Sequence, residues 1–186
     1  MGTSGYVQLS DDANGLVMAD AIMLAKPPVG DEGDPAHGSG VIINSDNVTI
    51  EAGAAISANG QGFGANAGPG SAANAGDCSG GGGYGGPGGD GRDSVGGPTY
   101  AMIYEPTALG SGGGGFYSGR GGGAIRLNVT GTLAIDGAIS APGTQGIGNY
   151  AGGSGGSVWL ICDTFAGAGS VSANGGKGAN TTYPGG

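Results

Sequence analysis

Three stretches of this sequence close on one five-residue signature: Ile56-Ser57-Ala58-Asn59-Gly60, Ile139-Ser140-Ala141-Pro142-Gly143 and Val171-Ser172-Ala173-Asn174-Gly175. The residues before each closure follow a common plan. SGVIINSDNVTIEAGAAISANGQG from Ser39, GGAIRLNVTGTLAIDGAISAPGTQG from Gly122 and GGSVWLICDTFAGAGSVSANGGKG from Gly155 begin at Gly or Ser-Gly, run through a short apolar strand, turn on polar or Gly-containing residues and enter another strand. Val, Ile, Leu and Thr suit a pleated surface, and Gly and Asn accept the positive φ that tight corners demand. In TLAIDGAIS, Leu133 and Ile135 fall on one face and Ala134 and Asp136 on the other, the period of two expected of a half-buried strand. A unit this short cannot bury its apolar face alone, so copies must stack or pair with neighbours. The last two closures start 32 residues apart (139 to 171) and the first two 83 apart (56 to 139), so a long insertion follows the first copy.

The expected fold is therefore all-β, an irregular β-solenoid in preference to a compact β-sandwich. A β-hairpin segment spans 1–26, an acidic linker 27–38 and a Gly-rich repeat domain 39–186. Its repeats lie near 39–65, 122–148 and 155–179, with the insertion at 66–121. Composition limits what else this domain can hold: 50 of 186 residues are Gly and 9 are Pro, and only 37% are hydrophobic. A large conventional core is excluded. The runs SGGGGYGGPGGDG and GSGGGGFYSGRGGG lack the Gly-X-Y period of collagen. Two readings of them stand. They are either polyglycine II-like bundles, in which missing side chains let backbones approach closely, or long surface loops pinned by Tyr84, Phe116 and Tyr117, the preferred reading.

The net charge of −9, with 5 basic residues, argues against nucleic acid, whose phosphates need clustered Lys and Arg, and against anionic membrane surfaces. No apolar run approaches the roughly 18 residues of a membrane span, so no membrane insertion is expected. Met1 is not followed by the basic flank and apolar run of a signal peptide. The chain starts in strand-like sequence and stops in TTYPGG, as a segment of a longer polypeptide would.

Residues 6–26, YVQLSDDANGLVMADAIMLAK, read as two strands around an Asn14-Gly15 turn, a strong hairpin signal. Val17, Ala19, Ala21 and Met23 alternate with Met18, Asp20, Ile22 and Leu24, which favours strand over an amphipathic helix. A lone hairpin is marginally stable. Tyr6, Val7, Leu9, Val17, Ala19, Ala21 and Met23 are thus candidate assembly strands that complete a neighbouring subunit, unless the rest of their sandwich lies upstream. GYVQLSDDANGLVMADAIMLAK resembles the last strands of the golvesin-type β-sandwich module of secreted bacterial enzymes and surface proteins, over 22 of 186 residues. The repeats resemble the Gly-rich regions of large bacterial surface adhesins and filament proteins. The golvesin resemblance implies an extracellular bacterial setting and transfers no catalytic residue.

Motifs that carry chemistry are sparse. His37, beside Asp31, Glu32 and Asp34, reads as part of a solvated linker. Gly152-Gly153-Ser154-Gly155-Gly156 satisfies the G-x-S-x-G pattern of hydrolase elbows, but without strand-turn-helix context, and so much glycine produces such matches by chance. Gly85 to Asp90 begins a calcium-binding nonapeptide once, with Arg92 where an apolar residue belongs. Asp11, Asp12 and Asn14 offer hard oxygen ligands that an Asp-rich turn explains without an ion. No catalytic residue, metal site or cofactor is expected.

Cys78 and Cys162 are candidates for one disulfide across the insertion, the other reading being two buried thiols. Asn47, Asn128 and Asn180 head N-x-T sequons and are candidate glycosylation sites. Tyr100, Tyr104, Phe116, Tyr117 and Trp159 offer rings that stack on sugars, with Trp159 better read as core. Lys26, Arg92, Arg120, Arg126 and Lys177 are scattered, unlike the basic groove of a polysaccharide lyase. The sequence points to an extracellular structural protein, not an enzyme: a segment or subunit of a filament, sheath or matrix whose partners are further copies of itself. An adhesin or carbohydrate-binding surface module, with glycans as partners, is the alternative, and a β-helix polysaccharide-active enzyme a more distant one.

Overall fold

The computed structural model describes residues 40–76 and 78–178. All secondary structure in them is β, with no helix among the described residues. Nine short strands form in three groups of three. The first repeat supplies β1 (Gly40–Ser45), β2 (Val48–Ile50) and β3 (Ala55–Ser57). The second supplies β4 (Ala124–Val129), β5 (Thr132–Ile135) and β6 (Ala138–Ser140), and the third β7 (Ser157–Ile161), β8 (Thr164–Ala166) and β9 (Ser170–Ser172). Equivalent strands pair in parallel, giving three sheets of order β1-β4-β7, β2-β5-β8 and β3-β6-β9. Each repeat is therefore one tier, contributing one strand to every sheet.

The register is set by the sequence match. Val41, Ile125 and Val158 form one row, Ile43, Leu127 and Leu160 another, and Val48, Leu133 and Phe165 a third. Ile56, Ile139 and Val171 of the closing signature form a fourth. A one-residue slip would turn every one of these side chains to the other face, so burial fixes the pairing. The alternation read in TLAIDGAIS is the observed one: Leu133 and Ile135 are buried while Ala134 is half-buried and Asp136 exposed.

Corners hold because each tier hydrogen-bonds the next. Asn47 Oδ1 accepts from Thr132 N at 2.9 Å, and Asp46 Oδ1 from Thr130 Oγ1 at 2.9 Å. Gly53 and Gly167 stand at φ 88° and 100°, a left-handed backbone that glycine reaches without a Cβ penalty. The core centres on the middle tier, with Ile50 and Ala58 of the first tier buried in the same cluster. Ile125, Leu127, Leu133 and Ile139 are at most 1% exposed, each burial contributing roughly 2 kcal/mol.

Part of the insertion between the first two tiers departs from the preferred expectation of surface loops, whereas 85–87, 92–93 and 102–105 are exposed and irregular as expected. Residues 110–115 are buried throughout, as are 151–157 between the second and third tiers, and neither run lies in a sheet until Ser157. Their backbones bond sideways to other extended glycine segments: Gly62 N to Gly121 O at 2.8 Å, Gly110 N to Gly122 O at 2.8 Å, Gly122 N to Ser154 O at 2.9 Å, Gly82 N to Gly152 O at 3.0 Å and Gly97 N to Gly81 O at 2.8 Å. A Cβ on Gly97 would overlap the Gly70 carbonyl, and one on Gly121 the Gly110 carbonyl. Backbone touches backbone here, so buried peptide groups find their partners in one another. The segments continue directly from the closures, because Ala58 N donates to Ser140 O at 2.7 Å and Gly60 N to Pro142 O at 2.9 Å.

Candidate functional site

Two features of the described residues could meet a partner: the outer face of the third tier and the turns that end the glycine segments. The third tier repeats the middle one without its cover. Phe165 is 59% exposed and Val171 46%, whereas Leu133 and Ile139, their partners in register, are fully buried. Ala173 is exposed while Ala141 is 0% exposed and Ala58 6%. The third tier is thus built to the pattern of an interior tier, and no fourth tier lies over it among the described residues.

At the glycine turns, three segments converge through specific bonds. Asn66, a non-glycine residue at φ 58°, accepts at Oδ1 from Gly115 N at 2.5 Å, and Ile147 N donates to Tyr117 O at 3.0 Å. Tyr117 and Tyr150 meet edge to face with centroids 5.3 Å apart. Phe116, Tyr117 and Ile147 are each exposed by more than half. A second aromatic pair, Tyr84 and Tyr100, meets edge to face at 5.2 Å between the glycine segments and the tiers. Tyr84 Oη donates to Ala108 O at 3.0 Å, and Tyr100 Oη donates to Leu109 O. Burial pushes the Tyr100 phenol up to about 12, against the smaller opposing effect of its Ser111 hydrogen bond, and burial likewise raises Tyr84. An ionised phenol is disfavoured where water cannot reach it.

Tyr84 also lines an open groove of about 340 Å³ with Gly82, Pro87, Ser154, Ala173 and Gly175. Apart from the tyrosine, the groove offers backbone and one hydroxyl, which suits hydrogen bonding and provides no acid or base pair for catalysis.

The remaining sequence candidates are dispersed. Cys78 and Cys162 are both free thiols, so the expected disulfide is not formed. Cys78 is buried among the glycine segments and Cys162 packs against the apolar core of the tiers, two separate packing environments. Asn47 is exposed at a corner. Asn128 is half-buried, donating from Nδ2 to Asn44 Oδ1 at 2.6 Å and accepting at Oδ1 from Arg126 Nε at 2.9 Å. Trp159, expected as core, alternates with the core-packed Val158 and Leu160 and lies on the opposite face. There Arg126 stacks 4.0 Å over its ring centroid, an attraction of roughly 0.5–1 kcal/mol at an accessible position.

Tyr104 is 88% exposed, and Asp90 Oδ1 accepts from Gly96 N at 2.8 Å. No group of three His, Cys, Asp or Glu is placed to hold a metal among the described residues, and they contain no helix long and apolar enough to cross a membrane. Asn180, His37, the Asp11-Asp12-Asn14 turn and the assembly strands of Tyr6, Val7, Leu9, Val17, Ala19, Ala21 and Met23 lie outside the described residues.

Sequence reasoning missed three residues. Ser154 of the discarded G-x-S-x-G match accepts at Oγ from Ser111 N at 2.8 Å, while Ser111 Oγ accepts from Gly70 N at 2.9 Å. The signal was the recurrence of Gly-Ser-Gly-Gly at 110–113 and 153–156. Arg120 reaches from Nε to Gly60 O at 2.9 Å and from Nη2 to Gly62 O at 3.2 Å, a role that a lone Arg in a glycine run does not announce. Comparison with known protein families, with curated proteins and with solved structures finds no match to this chain.

Proposed function

We propose that this chain is an extracellular structural protein, a subunit or segment of a filament, sheath or matrix that assembles through β-strand pairing. In this reading the three tiers are successive coils of a β-solenoid, and the glycine segments are a polyglycine II-like bundle fused to its side. The observation that carries it is the in-register parallel pairing of one repeated unit. Such a unit gains its core only from the unit above and below, so it is suited to extension in one dimension. The glycine bundle supports the same reading, because a body of mutually bonded backbones leaves few side chains or open peptide groups for proteases. The test is concentration-dependent assembly by light scattering and negative-stain microscopy. Elongated particles are the expected outcome, and a monodisperse monomer at every concentration refutes the reading.

The adhesin reading draws on a separate observation, the exposed rings of Phe116 and Tyr117 carried on turns that are hydrogen-bonded in place. Rings held this way lose little entropy on binding and could stack on sugars. Glycan-array binding abolished by Tyr117→Ala would favour it over the structural role.

A further inference from the structure

We infer that the third tier is a docking surface for the first tier of a second copy of this chain, joined head to tail with the register of the internal tiers. This rests on the structural reading above and specifies its junction, which runs through β7, β8 and β9 instead of the N-terminal strands.

The occupant follows from continuity with the interface already present. Translating one copy along the stack places β1, β2 and β3 of the next beside β7, β8 and β9, parallel as inside the molecule. The rows then extend with like residues: Val41 follows Val158, Ile43 follows Leu160, Val48 follows Phe165 and Ile56 follows Val171. On the first-tier edge, Val41, Ile43, Val48 and Ile56 are half-buried, so both surfaces retain apolar area to lose.

The hydrogen bonds extend by the same rule. Ala58 N donates to Ser140 O and Ala141 N to Ser172 O, at 2.7 and 2.8 Å; Gly60 N donates to Pro142 O and Gly143 N to Asn174 O, both at 2.9 Å. The corresponding donors of the third tier, Ala173 N and Gly175 N, would meet Ser57 O and Asn59 O of the next copy. A methyl group at Gly143 would overlap the Ser154 carbonyl, while one at Gly175 has no atom closer than 3.7 Å, so this end is open to an approaching backbone.

Edge strands that must stay single carry charge or proline. None of the strand residues of the first or third tier is charged or Pro, whereas the covered middle tier carries Arg126. One contact at the junction is unfavourable. Extending the register one corner further puts Asp163 beside Asp46 of the next copy, both exposed, and like charges on neighbouring strands repel. Assembly should therefore strengthen with salt.

Ser57 and Ser172 provide the test. They share a row with Ser140 between them, so within one copy they stand two strand spacings apart, roughly 9.6 Å, and across the junction one spacing, about 4.8 Å. Only the second distance permits a disulfide. In a full-length Cys78→Ser, Cys162→Ser background, the Ser57→Cys, Ser172→Cys protein is oxidised with copper-phenanthroline and run without reductant. The expected result is a ladder of covalent multimers, absent from either single variant. Adding Phe165→Glu, at a position already exposed enough to leave folding intact, should abolish the ladder while the melting temperature of the dilute monomer stays unchanged, and Asp163→Asn should extend it at low salt. Dimers from Ser172→Cys alone, or assembled particles whose cysteines do not link, overturn this junction and leave filament assembly standing. A protein that stays monomeric throughout overturns both.

Discussion

The tiers and the glycine segments solve the same problem by opposite means. In the tiers, strands about 4.8 Å apart hold side chains that fill the space between sheets, and Leu133 or Ile139 can be buried only because branched residues repeat in register. In the glycine segments almost nothing fills the space, and backbones move together until a carbonyl occupies the volume a Cβ would take. The tiers are sensitive to what is removed, the glycine segments to what is added.

The sharpest way to break this comparison is to add one methyl group. Gly121→Ala drives a Cβ into the Gly110 carbonyl, which no rotamer change relieves, and should cost about 4 kcal/mol, above the ordinary range for an overpacked core. The measurement is urea denaturation followed by circular dichroism, and a cost below about 1 kcal/mol would contradict backbone-on-backbone packing. Removing atoms from the tiers comes next. Leu133→Ala should destabilise by about 3 kcal/mol through the cavity it leaves, whereas Phe165→Ala, its row neighbour at the open end, should cost less than about 1 kcal/mol in the monomer. Equal costs would mean that the third tier is covered in solution.

Within the glycine segments, Ser111→Ala removes the acceptor of Gly70 N and strands a buried donor, for a loss of about 1–2 kcal/mol. The tyrosine pair adds a pH dependence. The Tyr100 phenol is held at about 12 when folded, above its ordinary 10.0, so the unfolded chain releases this proton first as pH rises. Its contribution is fully present below pH 10, falls between about pH 10 and 12 and is gone beyond. Tyr84, raised by the same burial, acts in the same direction. Denaturation midpoints across that window should therefore fall, and fall less steeply in Tyr100→Phe. The smallest effect is the control. Gly86→Ala adds a methyl with no atom within 4 Å and should change stability by less than about 0.5 kcal/mol.

The tiers were legible because their signal is periodic. Ile56, Ile139 and Val171 recur inside the same Ser-Ala-x-Gly frame, and alternation around Leu133 and Ile135 assigns the buried face without reference to any contact. The glycine segments gave no such signal, since residues without side chains have no hydrophobic period, and only their mutual distances distinguish a packed layer from loops. Ser111 and Ser154 escaped because buried serine and surface serine look alike in a glycine run. Trp159 was read as core from its apolar neighbours, although alternation with Val158 and Leu160 already placed it on the other face. The open third tier was invisible for a different reason: its residues match the buried ones, and only their exposure differs.

The scarcity of side chains among residues 110–115 and 151–156 has a thermal consequence. Hydrophobic contacts weaken on cooling, and exposing apolar surface gives unfolding its large heat capacity, whereas exposing peptide groups acts in the reverse sense. A layer held by carbonyl and amide bonds has a flatter stability curve than the tiers it adjoins. On cooling, the glycine layer therefore loses less of its stability than the tiers do.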